Sequence, residues 1–399
     1  MSHQIIKNRD IILFSLQPWN SEIAFNLKDI AYELARYNRV LFVDRAKDRR
    51  TVLGWGRGKQ VPQAVFPRKI ELISENLWVL HPDSVMESVN WLPNYRLFNF
   101  FNRINNRRLA VEINHAIEQL SFGNCVFIND NDFFRGLYLR SLLHVRDYIF
   151  YIRDFLTAQP YFKKFGPRCE EEMISRADMI LANSQWLADY AAQWNPYSSN
   201  IGQGCHAEDF MAEGIPEPLD LQSIPRPIVG YFGAVTEMRL DEALMLRLSL
   251  AMPDISLVFV GPSDDQFQKS KLRSQKNVYF LGLRTPDLSA AYISHFTICI
   301  NPQKRNQLTL GNYPRKIDEY LAAGKPVVAT RTPAMEMFRE YVFLCDTMEE
   351  FVEQIRELLN KPGSLNGEMA SRRRLFALTH SWENVIVALS DAYFRMKRK

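Results

Sequence analysis

The chain has 399 residues, of which 47% are hydrophobic and 24% charged, and its formal net charge is +4. This length is enough for two or three domains with separate hydrophobic cores, and it excludes a peptide hormone, a small binding module and a disulfide-stapled miniprotein. The composition is that of folded globular proteins, which excludes a disordered chain and a coiled coil.

The small net charge conceals an uneven distribution. Between residues 36 and 110, Lys and Arg outnumber Asp and Glu more than two to one. The five cysteines lie far apart without C-x-x-C spacing, so we predict neither a zinc site nor a disulfide framework, and we expect a reducing cytosolic compartment. Polar residues 8–10 interrupt the N-terminal apolar run, which argues against a signal peptide or a spanning helix.

Short apolar runs rich in β-branched and aromatic residues alternate along the chain with segments of helical periodicity. This alternation predicts an α/β fold with parallel sheets, and it occurs twice. In the first half the predicted strands are 11–16, 40–44, 125–128, 148–152 and 179–182. In the second half they are 228–232, 256–260, 278–281, 298–300, 327–329 and 342–344. Ligands of such sheets bind beyond the carboxyl ends of the strands, so functional residues are expected in the loops that follow them.

Residues 206–226 separate the two sets of strands. They are rich in proline and show no sustained periodicity, which predicts an interdomain linker. The domains are then 1–205, a Rossmann-like domain, and 227–380, a second Rossmann-like domain. Residues 381–399 are predicted to form a C-terminal amphipathic helix.

The most informative segment is NYPRKIDEYLAAGKPVVAT, residues 312–330, which predicts a helix, a glycine stop and a buried strand. Arg315, Lys316 and Glu319 fall in the first two turns of that helix. A helix start with two cations would stabilise a diphosphate, and Glu319 could accept hydrogen bonds from a ribose diol. The alternative is that Arg315 and Glu319 form a surface i, i+4 ion pair and that Lys316 is solvated.

This segment resembles the donor-binding segment of the GT-B glycosyltransferases, group 1 (family 4-like), of bacterial surface-polysaccharide assembly. The likeness extends over residues 227–330, where IVGYFGAVTEMRLDEALM, ISLVFVGP and NVYFLGLRTPDLSAAYI resemble the strands and turns of the nucleotide-sugar domain. EEEMISRADMILANSQWLADYA and GQGCHAEDF match more loosely. SWENVIVALSDAYF is similar to the terminal helix that crosses back to the first domain in that fold.

The resemblance implies two Rossmann-like domains that face each other across a cleft, the first binding the acceptor and the second the nucleotide sugar. It implies Lys316 as the diphosphate contact and Glu319 as the ribose partner. It also implies backbone approach to the phosphate at Gly233, because glycine leaves room for it. The other predicted donor-binding residues are Leu283 and Arg284 beside the nucleobase, Arg239 at the leaving group, and Tyr313 and Arg315.

One departure from the family pattern concerns a carboxylate. Many retaining members carry two glutamates seven residues apart, the second matching Glu319, and the first would fall at Gly311. Its absence favours a divergent branch that includes inverting enzymes, and the stereochemistry of transfer stays open.

An inverting transfer needs a general base for the acceptor hydroxyl, placed after a strand of the first domain. Asp154, after the predicted strand 148–152, is the first candidate, and Asp130 and Asp132 after strand 125–128 compete with it. Each could instead cap a following helix. The D-N-D triplet has the form of a metal-binding motif, but we predict no metal because Lys316 and the helix start can meet the leaving-group charge.

The basic region contains a predicted helix over residues 91–113. Arg96, Arg103 and Arg107 share one stripe of it, and an adjoining apolar face is formed by Leu97, Phe98, Phe101 and Ile104. This pattern suits an anionic membrane surface, although the apolar face could equally pack into the domain core. Residues 45–59 are predicted to form a mobile basic loop.

The function that these features favour is transfer of a sugar from a nucleotide-diphosphate donor to a saccharide or lipid-linked saccharide acceptor, without a cofactor and without nucleic acid as a partner. The location expected is the cytoplasm, at the inner face of the membrane. Two alternatives are a nucleotide-sugar epimerase of the same fold and a non-catalytic nucleotide-sugar-binding subunit.

Overall fold

The structure is a computed structural model that describes residues 4–21, 25–49, 69–361 and 367–398. Most of the predicted basic loop, residues 50–59, lies outside this range. The chain divides into two compact units. The first comprises Met1–Gly202 together with Ile386–Lys399, and the second comprises Gln203–Val385.

The first unit is built on an eight-stranded sheet. Its strands are β1 (Asp10–Ser15), β2 (Arg39–Val43), β3 (Ile70–Ser74), β4 (Leu77–Leu80), β5 (Cys125–Asp130), β6 (Val145–Ile152), β7 (Met179–Ala182) and β8 (Ser198–Asn200). The order across the sheet is β3-β4-β2-β1-β5-β6-β7-β8, and β3 runs antiparallel to β4 while the other pairs are parallel. Every residue of β1 and β5 is buried, as expected for a parallel sheet that is covered on both faces.

One long helix packs against the loop that follows β5. The helices of this part of the chain are α1 (Asn26–Ala35), α2 (Tyr95–Gln119), α3 (Leu139–Leu142), α4 (Gly166–Arg176) and α5 (Gln185–Ala192), with a short 3-10 helix at Leu156–Ala158. Buried Asn102 and Asn106 of α2 donate hydrogen bonds to the carbonyl oxygen of Phe134, at 2.8 and 3.2 Å. These bonds satisfy a loop carbonyl and fix the loop after β5 to α2.

The second unit is built on a six-stranded parallel sheet. Its strands are β9 (Ile228–Phe232), β10 (Ser256–Val260), β11 (Val278–Gly282), β12 (Ile298–Asn301), β13 (Val327–Thr330) and β14 (Phe343–Cys345). The order is β11-β10-β9-β12-β13-β14. The prediction of two parallel-sheet α/β domains is confirmed.

Short helices connect most of these strands. They are α6 (Ala207–Met211), α7 (Leu219–Gln222), α8 (Glu242–Ala251), α9 (Asp265–Gln268), α10 (Ser289–Ser294), α11 (Gln307–Leu310), α12 (Lys316–Ala322), α13 (Met348–Asn360), α14 (Glu368–Leu378) and α15 (Trp382–Lys397), with 3-10 helices at Lys271–Ser274, Pro286–Leu288 and Pro333–Phe338. Within the described ranges, none of the helices is long and apolar enough to cross a membrane.

The segment 206–226 is folded into the second unit. Its helices α6 and α7 bury Phe210 and Leu221 in the core of that unit, 7% and 0% exposed. The prolines therefore lie in the irregular chain beside two short helices that have apolar anchors of their own.

The last helix belongs largely to the first unit. From Ile386 onward it packs there, and the hydroxyl of Tyr393 donates a hydrogen bond of 2.7 Å to buried Asp147, whose carboxylate also pairs with Lys397. The backbone N–H of Ile6 donates to the hydroxyl of Ser390, 3.1 Å away. The predicted return of the C-terminal helix to the N-terminal domain is confirmed.

Candidate active site

A glycine turn follows the first strand of the second unit. Gly233 comes directly after β9 and has a φ of +137°, a backbone conformation that residues with a side chain rarely adopt. A Cβ atom at this position would lie 2.8 Å from Nζ of Lys316, the first residue of α12. The fold thus brings the predicted pair Gly233 and Lys316 together, and glycine leaves the ammonium room against the backbone.

A tyrosine that the sequence analysis did not identify holds Lys316 in place. The ammonium of Lys316 donates a hydrogen bond to the hydroxyl of Tyr231 and lies 4.0 Å from the centre of its ring. The Tyr231 hydroxyl donates its own proton to the carbonyl oxygen of Ala234, 3.0 Å away. Because a carbonyl can only accept, the Tyr231 hydroxyl donates to Ala234 and is left to accept from Nζ of Lys316, so both contacts run in one direction. A tyrosine in an otherwise apolar strand was the available signal, since a buried tyrosine hydroxyl usually has a partner.

Arg315 and Glu319 form the i, i+4 ion pair that was considered as an alternative to ligand binding. Nε of Arg315 lies 3.2 Å from Oε1 of Glu319, and the two side chains are 20% and 16% exposed. Burial raises the pKa of Glu319, and the cations of Arg315 and Lys316 oppose that shift. The Arg315 guanidinium also lies 5.6 Å from the centre of the Trp382 ring. A carboxylate anchored in this way is rigid and still has accessible surface for a hydroxyl.

Tyr313 is a correction to the predicted donor-binding set. Its side chain is 4% exposed, and its hydroxyl donates a hydrogen bond of 2.8 Å to Asp318, which is wholly buried. The other oxygen of Asp318 lies 2.7 Å from Nδ1 of His380. Burial raises the pKa of Asp318, with His380 acting in the opposite direction. Tyr313 therefore uses its polar atom inside the domain, where it supports α12.

The turn after β11 contains Leu283 and Arg284, which were predicted to flank a nucleobase. The guanidinium of Arg284 donates to Asp220 of α7 at 2.8 Å, to the hydroxyl of Tyr292 at 2.9 Å and to the carbonyl of Leu283 at 2.9 Å. These bonds engage all three of its nitrogens and tie the turn to α7 and to α10. Leu283 is 47% exposed and presents the apolar surface there.

Arg239 lies in the turn between β9 and α8. Its backbone N–H donates to the carbonyl of Thr236 at 3.0 Å, and its carbonyl accepts from the N–H of Lys304 at 2.9 Å. The half-buried side chain is therefore attached to a backbone fixed on both sides.

Asn301 is a further polar residue at the same edge of the second sheet. It ends β12, and the register that pairs Cys299 with Gly230 places it beside Phe232, next to the glycine turn. Asn301 is 0% exposed, and neither of its amide atoms has a hydrogen-bond partner among the described residues. Burial of an amide without partners costs about 1–3 kcal/mol, so this position indicates a group that is completed by a ligand or by ordered water.

In the first unit, the three aspartates proposed as a general base have different surroundings. Asp130, the last residue of β5, is 0% exposed and forms a two-pronged ion pair with Arg153, whose second nitrogen lies 2.9 Å from Oδ2. Burial raises the pKa of Asp130 although Arg153 opposes it. Both oxygens of Asp130 are therefore engaged by Arg153, which indicates a structural role and does not fit the predicted role of a base.

Asp132 is also engaged within its own loop. It is 2% exposed, and its Oδ1 accepts a hydrogen bond of 2.9 Å from the backbone N–H of Arg135, whose side chain pairs with the other oxygen. It closes a turn, which is a structural role, although no helix follows directly for it to cap. In the described part of the chain, no three His, Cys, Asp or Glu side chains are grouped in a way that could hold a metal ion.

Asp154 is the one of the three aspartates with exposed surface. It lies two residues after β6 and is half-buried. Its carbonyl oxygen accepts hydrogen bonds from Asn131 and from the N–H of Leu156, each at 2.9 Å. The backbone that carries the carboxylate is thus held from both the β5 loop and the following 3-10 helix.

A buried carboxyl group lies behind that 3-10 helix. Glu170 is 0% exposed, and its Oε2 accepts a hydrogen bond from Tyr190 at 2.8 Å and a long one from Thr157 at 3.5 Å. Burial raises the pKa of Glu170 to about 7. Nothing in the sequence marked it, because three consecutive glutamates in a helix are typical of a solvated face.

The predicted basic helix is α2, on which Arg96, Arg103 and Arg107 are all exposed. Phe98 of the predicted apolar face is 0% exposed and packs on Phe134 and Phe165 at ring separations of 5.1 and 4.6 Å. For Phe98 the core-packing alternative is confirmed.

Comparison with known proteins agrees with this fold. Residues 226–361 match the family described as "Glycosyl transferases group 1". The chain is 27% identical over 272 residues to the Bacillus subtilis (strain 168) protein that is named a teichuronic acid biosynthesis glycosyltransferase, TuaH. That match covers 62% of this chain and 67% of the relative.

Solved structures match over almost the whole chain. Sucrose-phosphate synthase from Thermosynechococcus elongatus aligns over 98% of this chain and 100% of its own, with a TM-score of 0.71 and 15% identity. Anabaena HepE aligns over the same shares, in complex with UDP at a TM-score of 0.65 and 16% identity and in complex with UDP-glucose at 0.66 and 17%. Residues 226–361 thus form a group 1 glycosyltransferase domain, and the chain is a glycosyltransferase with the GT-B fold.

Proposed function

We propose that the enzyme transfers a sugar from a nucleotide-diphosphate donor to a saccharide or lipid-linked saccharide in the assembly of a bacterial cell-surface polysaccharide. The observation that carries the donor assignment is the contact set of Gly233, Lys316 and Tyr231. It holds a cation against a stretch of backbone that has no side chain. This combination suits a phosphate, because its oxygens accept hydrogen bonds from a cation and from backbone N–H groups that come close to them.

The role of Lys316 in the transfer follows from the charge of the leaving group. When the bond between the anomeric carbon and the phosphate oxygen breaks, negative charge grows on the leaving diphosphate. Lys316 is already oriented as a cation by Tyr231, so it stabilises that charge without reorganisation. In this proposal Lys316 neutralises the leaving group without a metal ion. Glu319, rigid and partly accessible, is assigned to the ribose.

On the acceptor side we assign Asp154 as general base for an inverting transfer. It would take the proton of the acceptor hydroxyl while that oxygen attacks the anomeric carbon. The assignment is supported by its exposed surface and by the burial of Asp130 and Asp132 in arginine pairs.

The polysaccharide context is supported by the relative named for teichuronic acid biosynthesis, and the nucleotide sugar by the HepE complexes with UDP and UDP-glucose. A lipid-linked acceptor would bring the enzyme to the inner face of the membrane, as a peripheral cytoplasmic protein.

A two-stage experiment tests the proposal. A thermal-shift screen against nucleotide diphosphates and their sugars identifies a donor, since a ligand at 100 times its dissociation constant adds about 2.7 kcal/mol. Calorimetry then compares the parent with Lys316→Ala, Glu319→Ala and the control Lys276→Ala, an exposed lysine just before β11 at the opposite edge of the sheet. We expect the first two changes to weaken donor binding at least tenfold and the control to leave it unchanged. Equal binding by all variants would refute the donor site.

The second stage measures turnover with the identified donor. Sugar transfer to saccharide or lipid-linked acceptors supports the proposal. An isomerised nucleotide sugar in a reaction without acceptor would show an epimerase instead, and binding without turnover over every acceptor would show a binding subunit.

A further inference from the structure

Helix α2 carries an exposed stripe in which cations and apolar side chains alternate. Arg96, Phe100, Arg103, Arg107 and Val111 recur at spacings of three and four residues, so they share one face of the helix. Phe100 is 61% exposed and Val111 is 69% exposed. Phe100 therefore lies between Arg96 and Arg103, and Val111 lies one turn beyond Arg107, on a face other than the one that buries Phe98.

A second segment extends this stripe beyond the start of α2. Nζ of Lys164 donates a hydrogen bond of 2.6 Å to the carbonyl of Leu92, and the guanidinium of Arg168 lies 3.8 Å from the centre of the Tyr95 ring. Two large aromatic side chains are exposed here, Trp91 at 71% and Tyr161 at 54%.

The charge of this surface is of one sign. We define the α2 surface by its exposed residues, which are Trp91, Arg96, Leu97, Phe100, Arg103, Arg107, Val111, Tyr161, Lys163, Lys164 and Arg168. Neither residues 91–111 nor residues 161–168 include an Asp or a Glu. Glu172, whose carboxylate lies 3.3 Å from the Tyr95 hydroxyl, is paired with Arg176 at 2.8 Å.

The α2 surface adjoins the edge of the first sheet at which Asp154 lies. The ring of Tyr161 is 6.4 Å from that of Phe134, which belongs to the loop after β5. The same loop contains Asn131, which donates to the carbonyl of Asp154. One short chain of contacts therefore connects the exposed aromatic residues to the proposed base.

We infer that the α2 surface docks on an anionic lipid bilayer and presents the proposed acceptor site to a lipid-linked acceptor. The inference rests on the proposed function for the acceptor and on the surface itself for the bilayer. Arginine side chains can lay their apolar stems beside Phe100 and Trp91 while their guanidinium groups reach lipid phosphates. Aromatic residues interleaved with cations and without carboxylates match the headgroup layer, which is both apolar and negatively charged.

Co-sedimentation with vesicles of phosphatidylcholine containing 30% phosphatidylglycerol tests the inference with the full chain. We expect the parent to bind at low salt and to be released as salt is raised. The variant Arg96→Glu, Arg103→Glu, Arg107→Glu should partition about 100-fold more weakly. The control is the triple reversal of Arg247, Arg372 and Arg374 to Glu, which changes the net charge equally at exposed sites of the second unit and should keep most of the binding.

The apolar contribution is tested separately. Trp91→Ser with Phe100→Ser should lower binding at least tenfold, whereas Leu250→Ser with Leu375→Ser, at residues that are 62% and 65% exposed in the second unit, should not change it. Equal loss in the control, or no binding of the parent at low salt, would overturn the inference. So would a concentration-dependent dimer, measured by light scattering, that the α2 variants abolish, because the surface would then belong to a second copy.

Failure of this inference can be distinguished from failure of the proposed function. If the parent transfers sugar to a soluble acceptor but does not bind vesicles, the function stands and the lipid surface is refuted. If it binds vesicles through the α2 surface and no donor supports transfer, the surface stands and the function is refuted. Where both hold, the arginine variant should lose transfer to a vesicle-borne acceptor and retain donor affinity.

Discussion

The hydroxyl of Tyr231 accepts a hydrogen bond from Nζ of Lys316 and donates one to the carbonyl oxygen of Ala234. The two residues are far apart in the chain and are brought together by β9 and α12. The tyrosine thereby fixes where the cation lies relative to the glycine turn.

Tyr231→Phe should therefore weaken the donor site without destroying it. The ring that lies against the ammonium is kept, and one hydrogen bond to a charged group is lost, worth about 1.5–3 kcal/mol. We expect kcat/KM for the donor to fall roughly tenfold or more in steady-state kinetics, with part of the loss in kcat because Lys316 also faces the leaving group. The control is Tyr279→Phe, in β11 of the same sheet. A Tyr231→Phe enzyme with unchanged kinetics would show that Lys316 is placed without the hydroxyl.

Asp154→Asn and Asp130→Asn should have opposite effects. Loss of a general base lowers kcat by about 10²–10⁴-fold, so Asp154→Asn should remove most of the transfer while the free energy of unfolding changes little. Asp130→Asn leaves the Arg153 guanidinium buried without its counter-charge, which should lower the free energy of unfolding by about 3–5 kcal/mol. Urea unfolding and kinetics on both variants check this. A stable, fully active Asp154→Asn enzyme would remove Asp154 from the mechanism.

Asn301→Leu should lower donor affinity without lowering the free energy of unfolding. Removal of an amide that is buried without partners in the described residues should leave the fold equally stable or more stable, by about 1 kcal/mol or more. Donor affinity in calorimetry should fall if the amide binds the donor. Ser249→Ala in α8 is the matched control, because its hydroxyl is also buried without a partner in that range, and its donor affinity should be unchanged. Normal donor binding by Asn301→Leu would assign the amide to ordered water.

Glu170 should make stability depend on pH. Its pKa is raised by burial to about 7 in the folded protein, against about 4.3 in an unfolded chain. The folded state thus favours the protonated form, so the free energy of unfolding falls as pH rises from about 4 to about 7 and levels off above that. Glu170→Gln mimics the neutral group and should be more stable than the parent at pH 8, by about 3 kcal/mol, with little difference at pH 4. Glu171→Gln, on the exposed side of α4, should keep the pH dependence of the parent, as measured by thermal unfolding from pH 4 to pH 8.

Much of the architecture could be predicted because buried parallel strands are apolar throughout. The strands β7, β9 and β10 have the predicted bounds. The strands β3, β4 and β8 were missed. Residues of β3 alternate in exposure at the edge of the sheet, and β8 is the polar tripeptide Ser198–Asn200, so neither has the pattern of a buried strand.

The site was predictable only where its residues are neighbours in sequence. Arg315, Lys316 and Glu319 lie at the start of one helix. The spacing of four residues between Arg315 and Glu319 was enough to predict their ion pair. The partner of Lys316 is a tyrosine of β9, and the partner of Asp130 is Arg153, the residue directly after β6. Such pairings depend on the order of the strands in the sheet, and the spacing of apolar residues along the sequence does not give that order.

The division of α15 between the units has a consequence for synthesis. Asp147 of β6 is buried, and Tyr393 and Lys397 reach it only after the chain has passed through the whole second unit. A ribosome therefore releases all of the second unit before the first can be completed. Until α15 docks, the newly made first unit exposes Asp147 and an uncovered apolar face, so a chaperone that holds nascent chains should be most needed there.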